Sequence, residues 1–260
     1  MNGVMGGLSK KVLKKLVQCN LAHLDLSLVT RDKNLRRKIW RREKMKGIFS
    51  TLSFLRKENI PVCIHFIVGL PGQSFKSALK DLLYLSRKEA LLGISIFYPV
   101  IESELFLELE RKYRISCYDY LYFRSSCAYF DKEMPKEEIF FLFYLSRIIN
   151  FVKIVIREFS LDKDNFFIWL KKETERMQLK DNFLITPYKI DKIKLGAFLL
   201  RKFLEEKVIY RAVLKREKGD YKYRLEKEDF VSPSFIEGLL EKGIIIKEGE
   251  SLIKLTFFRK

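Results

Sequence analysis

The sequence predicts an α/β chain that opens on parallel strands, continues as a mainly helical extension and ends in a small α+β region. Three observations carry this. Short apolar runs alternate with amphipathic stretches at about thirty residues per unit, the spacing of βαβ units. One of those runs, Val62–Val68, is apolar at nearly every position, as in a parallel-sheet strand covered by helices on both faces. Beyond residue 100 the alternation stops and helical patterns take over. The expected boundaries are 1–110, 111–190 and 191–260.

Each element follows from local chemistry. Ser9 is placed to cap a helix with Val12, Leu13, Leu16 and Val17 on one face and lysines on the other. Leu24–Thr30 reads as a short strand. The charged stretch after it carries Ile48, Leu52 and Leu55 at helical spacing and stops at Asn59-Ile60-Pro61, because a residue before proline avoids the helical conformation. Val62–Val68 is the second strand, Gly69-Leu70-Pro71-Gly72-Gln73 turns the chain, and Ser74 caps a helix built on Phe75, Ala78, Leu79, Leu82 and Leu83. Gly93 precedes a third strand, Ile94–Tyr98, closed by Pro99. Helices are expected over 136–159, 163–175, 192–206 and 233–242, with a break at Thr186-Pro187. Lys207–Leu225 reads as a hairpin turning at Lys218-Gly219-Asp220, and Ile244–Phe257 as a terminal one.

Composition narrows the function classes. Of the 260 residues 48% are hydrophobic and 32% charged, enough apolar matter for a core, which excludes a disordered chain or a disulfide-stapled miniprotein. Lys+Arg number 51 against 33 Asp+Glu, a net charge of +18. That charge suits anionic partners, nucleic acid among them. The basic residues are nevertheless spread along the whole chain, as on a solvated exterior. Cys19, Cys63, Cys117 and Cys127 form no CxxC or CxxxCxxC, so neither a zinc ribbon nor a locally encoded iron–sulfur site is expected. With only His23 and His65 beside them, a His/Cys metal cluster is poorly supplied and no metal ligand is nominated. Unpaired thiols fit a reducing cytoplasm. The most apolar stretch, Ile148–Ile156, is bounded by Arg147 and Arg157 and split by Lys153, too short and too charged for a bilayer. With no export signal, the expected location is cytoplasmic.

The turn at Gly69–Gln73 is the most specific local feature. Ligands of parallel sheets sit beyond the carboxyl ends of the strands, where glycines admit close approach and the next helix presents its N-terminus. A purely structural turn would use the same residues. The wider context adds several pieces in order: Val17-Gln18-Cys19-Asn20, Leu24–Thr30, Arg36–Arg41, Ile60-Pro61-Val62, Phe66–Ser74, and Ser95–Val100 followed by Ser103–Phe106. Together they resemble the second half of a radical SAM domain, more narrowly of radical SAM enzymes that carry an upstream cobalamin-binding domain. Arg124-Ser125-Ser126 and Leu145–Lys153 look like the helical extension after the barrel in some of these proteins. The resemblance thus runs from Leu8 to about Lys153.

This resemblance implies a partial (β/α) barrel and part of a wall for S-adenosylmethionine and substrate. Ser27 and Thr30 would face the ribose and methionine portions. Gly69, Leu70, Pro71, Gly72 and Gln73 would lie near the adenine, with Phe97 and Tyr98 offering backbone contacts to it. Arg41 would pair with a carboxylate or phosphate, although Trp40 stands where the family has a small residue. A structural role competes at every one of these positions. His65, in an apolar strand, reads as an interior histidine. The family's CxxxCxxC, whose thiolates hold a four-iron cluster, has no counterpart here. The expectation is therefore a fragment or subunit with no catalytic residue, inactive alone, that binds S-adenosylmethionine only with a complementing half and holds no cluster. Leu24, Leu26 and Leu28 would form an open apolar edge, to be covered by an upstream radical SAM polypeptide or a second copy of the chain. The alternative is a basic nucleic-acid-binding or scaffold protein, in which helices 192–206 and 233–242 and the terminal hairpin resemble a winged helix.

Overall fold

The computed structural model describes residues 4–5, 8–39, 45–113, 133–186, 190–217 and 220–241, and the chain divides into two units, Met1–Arg147 and Ile148–Lys260. The first unit holds a parallel sheet of β1 (Val4–Met5), β2 (Leu24–Val29), β3 (Val62–Val68) and β4 (Leu91–Ile96), hydrogen-bonded in that order. The connections are α1 (Lys10–Gln18), then α2 (Lys33–Lys38) with α3 (Met45–Lys57), then α4 (Phe75–Ser86). α5 (Glu104–Tyr113) and the start of α6 (Lys136–Glu158) follow.

Caps and stops explain these helices. The Ser9 hydroxyl accepts the Val12 N–H at 3.3 Å, and Ser74 accepts the Ser77 N–H at 3.2 Å. α1 and α3 each end on a left-handed asparagine, Asn20 (φ 58°) and Asn59 (φ 55°). After each, an N–H reaches back five residues, Leu21 to the Leu16 carbonyl and Ile60 to the Leu55 carbonyl. Asparagine, together with Pro61, thus stops the second of these helices.

Only one face of the sheet is fully covered. Leu24, Leu26 and Leu28 of β2 and Val62, Ile64, Phe66 and Val68 of β3 are buried. α1 packs on α3, α3 on β2 and α4 on β4. Each such side chain contributes roughly 1.5–3 kcal/mol by leaving water. The alternate residues Cys63, His65 and Ile67 are only half-buried, Ile67 packing beside Leu109 of α5, so the second face of β3 is less covered than its apolar run suggests. Two further expectations change. β4 begins at Leu91, with Gly93 inside it. The β2 edge is partly occupied, because β1 pairs Val4 with Leu26 and Met5 with Ser27.

The second unit continues α6 and adds α7 (Lys163–Thr174), β5 (Gln178–Lys180), β6 (Phe183–Ile185), α8 (Lys192–Glu206), β7 (Tyr210–Glu217), β8 (Asp220–Lys227) and α9 (Pro233–Glu241). Its sheet is antiparallel, ordered β5-β6-β8-β7. Val152, Val155, Phe166, Leu170, Ala197 and Leu200 form one core cluster; Met177, Leu184, Phe198 and Leu225 form another. The expected terminal hairpin, and with it the winged-helix arrangement, lies outside the described residues. Among the described residues α6 alone is long and apolar enough, by length and composition, to cross a membrane. Ile148–Ile156 is part of this 23-residue helix rather than a separate short run. Its Ile139, Leu142, Leu145, Ile149, Val152 and Val155 are buried against protein.

Candidate functional site

At the carboxyl ends of the strands, side chains are spent on holding the fold. β2 closes with the Thr30 N–H on the Leu28 carbonyl at 2.9 Å and Val29 at φ 65°, a conformation that costs a β-branched residue about 1–3 kcal/mol. The buried Thr30 hydroxyl donates to Asp81 Oδ2 at 2.7 Å and accepts the Asp32 N–H at 3.1 Å. The Arg31 N–H donates to the same Asp81 oxygen at 2.9 Å. Burial pushes the Asp81 carboxyl above its ordinary value, and these hydrogen bonds offset only part of that shift. Thr30 thereby braces β2 against α4.

The turn after β3 is closed in a similar way. Gly69 and Gly72 adopt φ 80° and 79°, open to glycine and strained for other residues. Gln73 accepts the Leu70 N–H at 3.2 Å and donates to the Ile67 carbonyl at 3.3 Å. Ile139 Cδ1 lies 3.2 Å from where a Gly69 Cβ would sit, so α6 is what approaches this backbone. Leu70 and Phe97 pack with Val29 and Leu109 in one apolar cluster, and Pro71 is buried. The Gly72 N–H donates to Glu133 Oε2 at 3.2 Å, and Lys112 and Tyr113 donate to the other carboxylate oxygen. Burial pushes Glu133 up, but those three donors outweigh it and hold the carboxyl below its usual range. Of the nominated residues Ser27, Gly72 and Tyr98 keep accessible surface, Thr30, Gly69, Leu70, Pro71, Gln73 and Phe97 are buried, and Arg41 lies outside the described residues.

The less covered sheet face is polar. Register places Asp25 beside Cys63, Ser27 beside His65, His65 beside Gly93, and Ile67 beside Ser95. His65 is therefore no interior histidine; its side chain is 40% exposed, with Nε2 3.6 Å from Asp25 Oδ1. His23 Nε2 stands 4.0 Å from Asp25 Oδ2. One donor atom each from Asp25, Cys63 and His65 lies within 4.8 Å of the others. A Cβ on Gly93 would come within 2.6 Å of His65 Cε1, so glycine gives the imidazole its place against β4. From this face sequence reasoning nominated Ser27 alone. The missed signal was spacing: Cys63 and His65 sit two apart on a strand, and Asp25 alternates with leucines in Leu24-Asp25-Leu26.

The groups implied by the radical SAM resemblance fit these residues unequally. A four-iron cluster needs several thiolates, whereas the one potential ligand trio found among the described residues contains a single thiol. S-adenosylmethionine would find Ser27, Gly72 and Tyr98 accessible, but the intended adenine side is filled by Ile139, Leu70 and Phe97. No family model matches the chain, and no curated protein does.

Proposed function

We propose that Met1–Arg147 is one wall of a (β/α) barrel of radical SAM type, a fragment or subunit that contributes binding surface and no cluster ligand. The observation that carries this is the winding of the sheet. Its parallel strands run in sequence order, one face is buried, and the opposite face is more polar and partly accessible. Barrels are wound in this way, with helices outside and the functional residues on or above the enclosed face; doubly wound sheets reverse strand order and carry helices on both faces. Ser27 on that face and Tyr98 beyond β4 would meet the ligand. A complementing polypeptide or a second copy of the chain would pair with the outer edge of β4 and with the part of β2 that β1 leaves uncovered. The chain alone performs no radical step.

The test combines light scattering with equilibrium dialysis. The expected result is an associating chain with weak, saturable S-adenosylmethionine binding that Ser27→Trp reduces, and no acid-labile sulfide after anaerobic reconstitution. A monomer with no measurable affinity for S-adenosylmethionine, or a chain that alone holds a cluster and cleaves the sulfonium, contradicts the reading.

A second reading rests on the antiparallel sheet. Lys215 stands directly opposite Lys222, Arg224 is opposite Val213 and Phe183, and Lys180 is opposite Phe183, which puts these residues on one face. The other face packs Leu179, Leu184, Ala212, Tyr223 and Leu225 into the core. Basic residues and an aromatic ring, beside the Arg211–Glu226 pair on the same face, suit single-stranded nucleic acid, whose backbone follows the cations and whose bases stack.

A further inference from the structure

We propose that Asp25, Cys63 and His65 bind a divalent ion of zinc type on the polar face of the parallel sheet, with solvent in the fourth position. The inference stands on β2, β3 and β4 and needs no barrel. Carboxylate, thiolate and imidazole are the donors that zinc takes, at about 2.0–2.3 Å. Around such an ion tetrahedral donors stand roughly 3.3–3.7 Å apart. The Asp25–His65 separation, 3.6 Å, is already one such edge. The remaining donor separations within the trio are no more than 4.8 Å, within reach of small side-chain rotations.

The backbone, rather than flexible side chains, brings these groups together. Asp25 and Cys63 are register partners on adjacent strands, and Cys63 and His65 share a face by the two-residue period. Gly93 is the second observation. Glycine inside a strand is destabilising relative to alanine, and position 93 has no left-handed φ to require it. What it provides is room: a Cβ there would strike the Nδ1 side of the His65 ring, while Nε2 faces Asp25. A hydrolytic Cys–His–Asp relay uses both imidazole nitrogens, one toward each partner. Here Nε2 faces Asp25 and the Nδ1 side of the ring is turned to β4, so the surroundings fix the ring's orientation as they do for a metal ligand. Asp25 keeps 19% of its side chain exposed and His65 40%, so an ion can reach the site from solvent.

The experiment uses the full chain, stripped with a chelator and titrated with Co²⁺ as the optical probe for Zn²⁺. One equivalent is expected to bind, with tetrahedral ligand-field bands and a thiolate-to-cobalt charge-transfer band that Zn²⁺ abolishes. Cys63→Ser should remove the charge-transfer band, while Cys19→Ser should keep it. Gly93→Ala, which removes no ligating group from the sequence but displaces the His65 imidazole, should weaken binding by about 10–100-fold. Circular dichroism of each variant establishes that it is folded, and His65→Gln serves if Cys63→Ser is not. Binding of less than one equivalent, a band that survives Cys63→Ser, or affinity unchanged in both Gly93→Ala and His65→Gln overturns the proposal. None of these outcomes bears on S-adenosylmethionine affinity or self-association, so the barrel reading fails separately.

Discussion

Asp81 is a carboxylate placed among apolar side chains on α4, with Leu82 and Leu85 buried beside it. The Thr30 hydroxyl and the Arg31 N–H both converge on its Oδ2. Because burial raises its pKa above the ordinary 3.8, the folded chain holds the proton more tightly than the unfolded one. The stabilisation linked to that proton is complete below 3.8 and is lost as pH rises through the folded value. Asp81→Asn keeps an oxygen to accept both hydrogen bonds and cannot ionise. Its stability should therefore improve relative to the parent as pH rises from acid to neutral. Urea unfolding at the two pH values measures the difference, and a gap that stays constant would remove burial as the dominant cause. Truncation is a different matter: Asp81→Ala leaves the buried Thr30 hydroxyl and the part-buried Arg31 N–H without their acceptor and should cost about 1–3 kcal/mol at any pH.

At the scale of elements, α8 shows how packing overrides propensity. Alanine is favoured over glycine in a helix by up to about 1 kcal/mol. A Cβ at Gly196, however, would lie 2.7 Å from Phe151 Cδ2 and 3.0 Å from Cζ. Gly196→Ala should thus destabilise the second unit by about 1–3 kcal/mol, the usual cost of overpacking. Adding Phe151→Leu should return part of that loss, and a thermal scan in which the single variant gains stability would contradict the packing. The same distinction separates what the sequence made legible from what it did not. Helices were legible through their ends: Ser9 and Ser74 cap, and α8 spans Lys192–Glu206 as its periodicity predicts. β5 and β6 were not, since three-residue strands show no period. Their one local sign is Asp181-Asn182, both at positive φ as in a type I′ turn. Gly93 was read as punctuation because its reason, the His65 ring, lies one strand away. The polar sheet face stayed hidden because Cys63, His65 and Ile67 pass for apolar positions in a run whose two sides differ only through which side the helices cover. Thr30 and Gln73 were visible as polar groups at strand ends, but Asp81, the acceptor of the Thr30 hydroxyl, lies 51 residues away in the sequence.

For the whole molecule, the net charge of +18 draws any polyanion toward the surface, so binding alone says nothing about the antiparallel sheet. Salt dependence separates a background from a site. For a single-stranded oligonucleotide the logarithm of affinity falls with the logarithm of salt by about 0.7 for each phosphate neutralised. Replacing Lys215 and Lys222 together by glutamate removes two such contacts if the sheet face is the site, and should flatten that slope by about 1.4. Replacing Lys10 and Lys14, exposed on α1, changes the net charge equally and should leave the slope nearly unchanged. Phe183→Ala should act differently again. A lost base stack weakens affinity by about 1–3 kcal/mol at every salt concentration while the slope persists. If the two lysine pairs flatten the slope by the same amount, attraction comes from the overall charge and the sheet face is a solvated surface. If only the Lys215–Lys222 pair does so, the antiparallel sheet face is where the phosphates are neutralised.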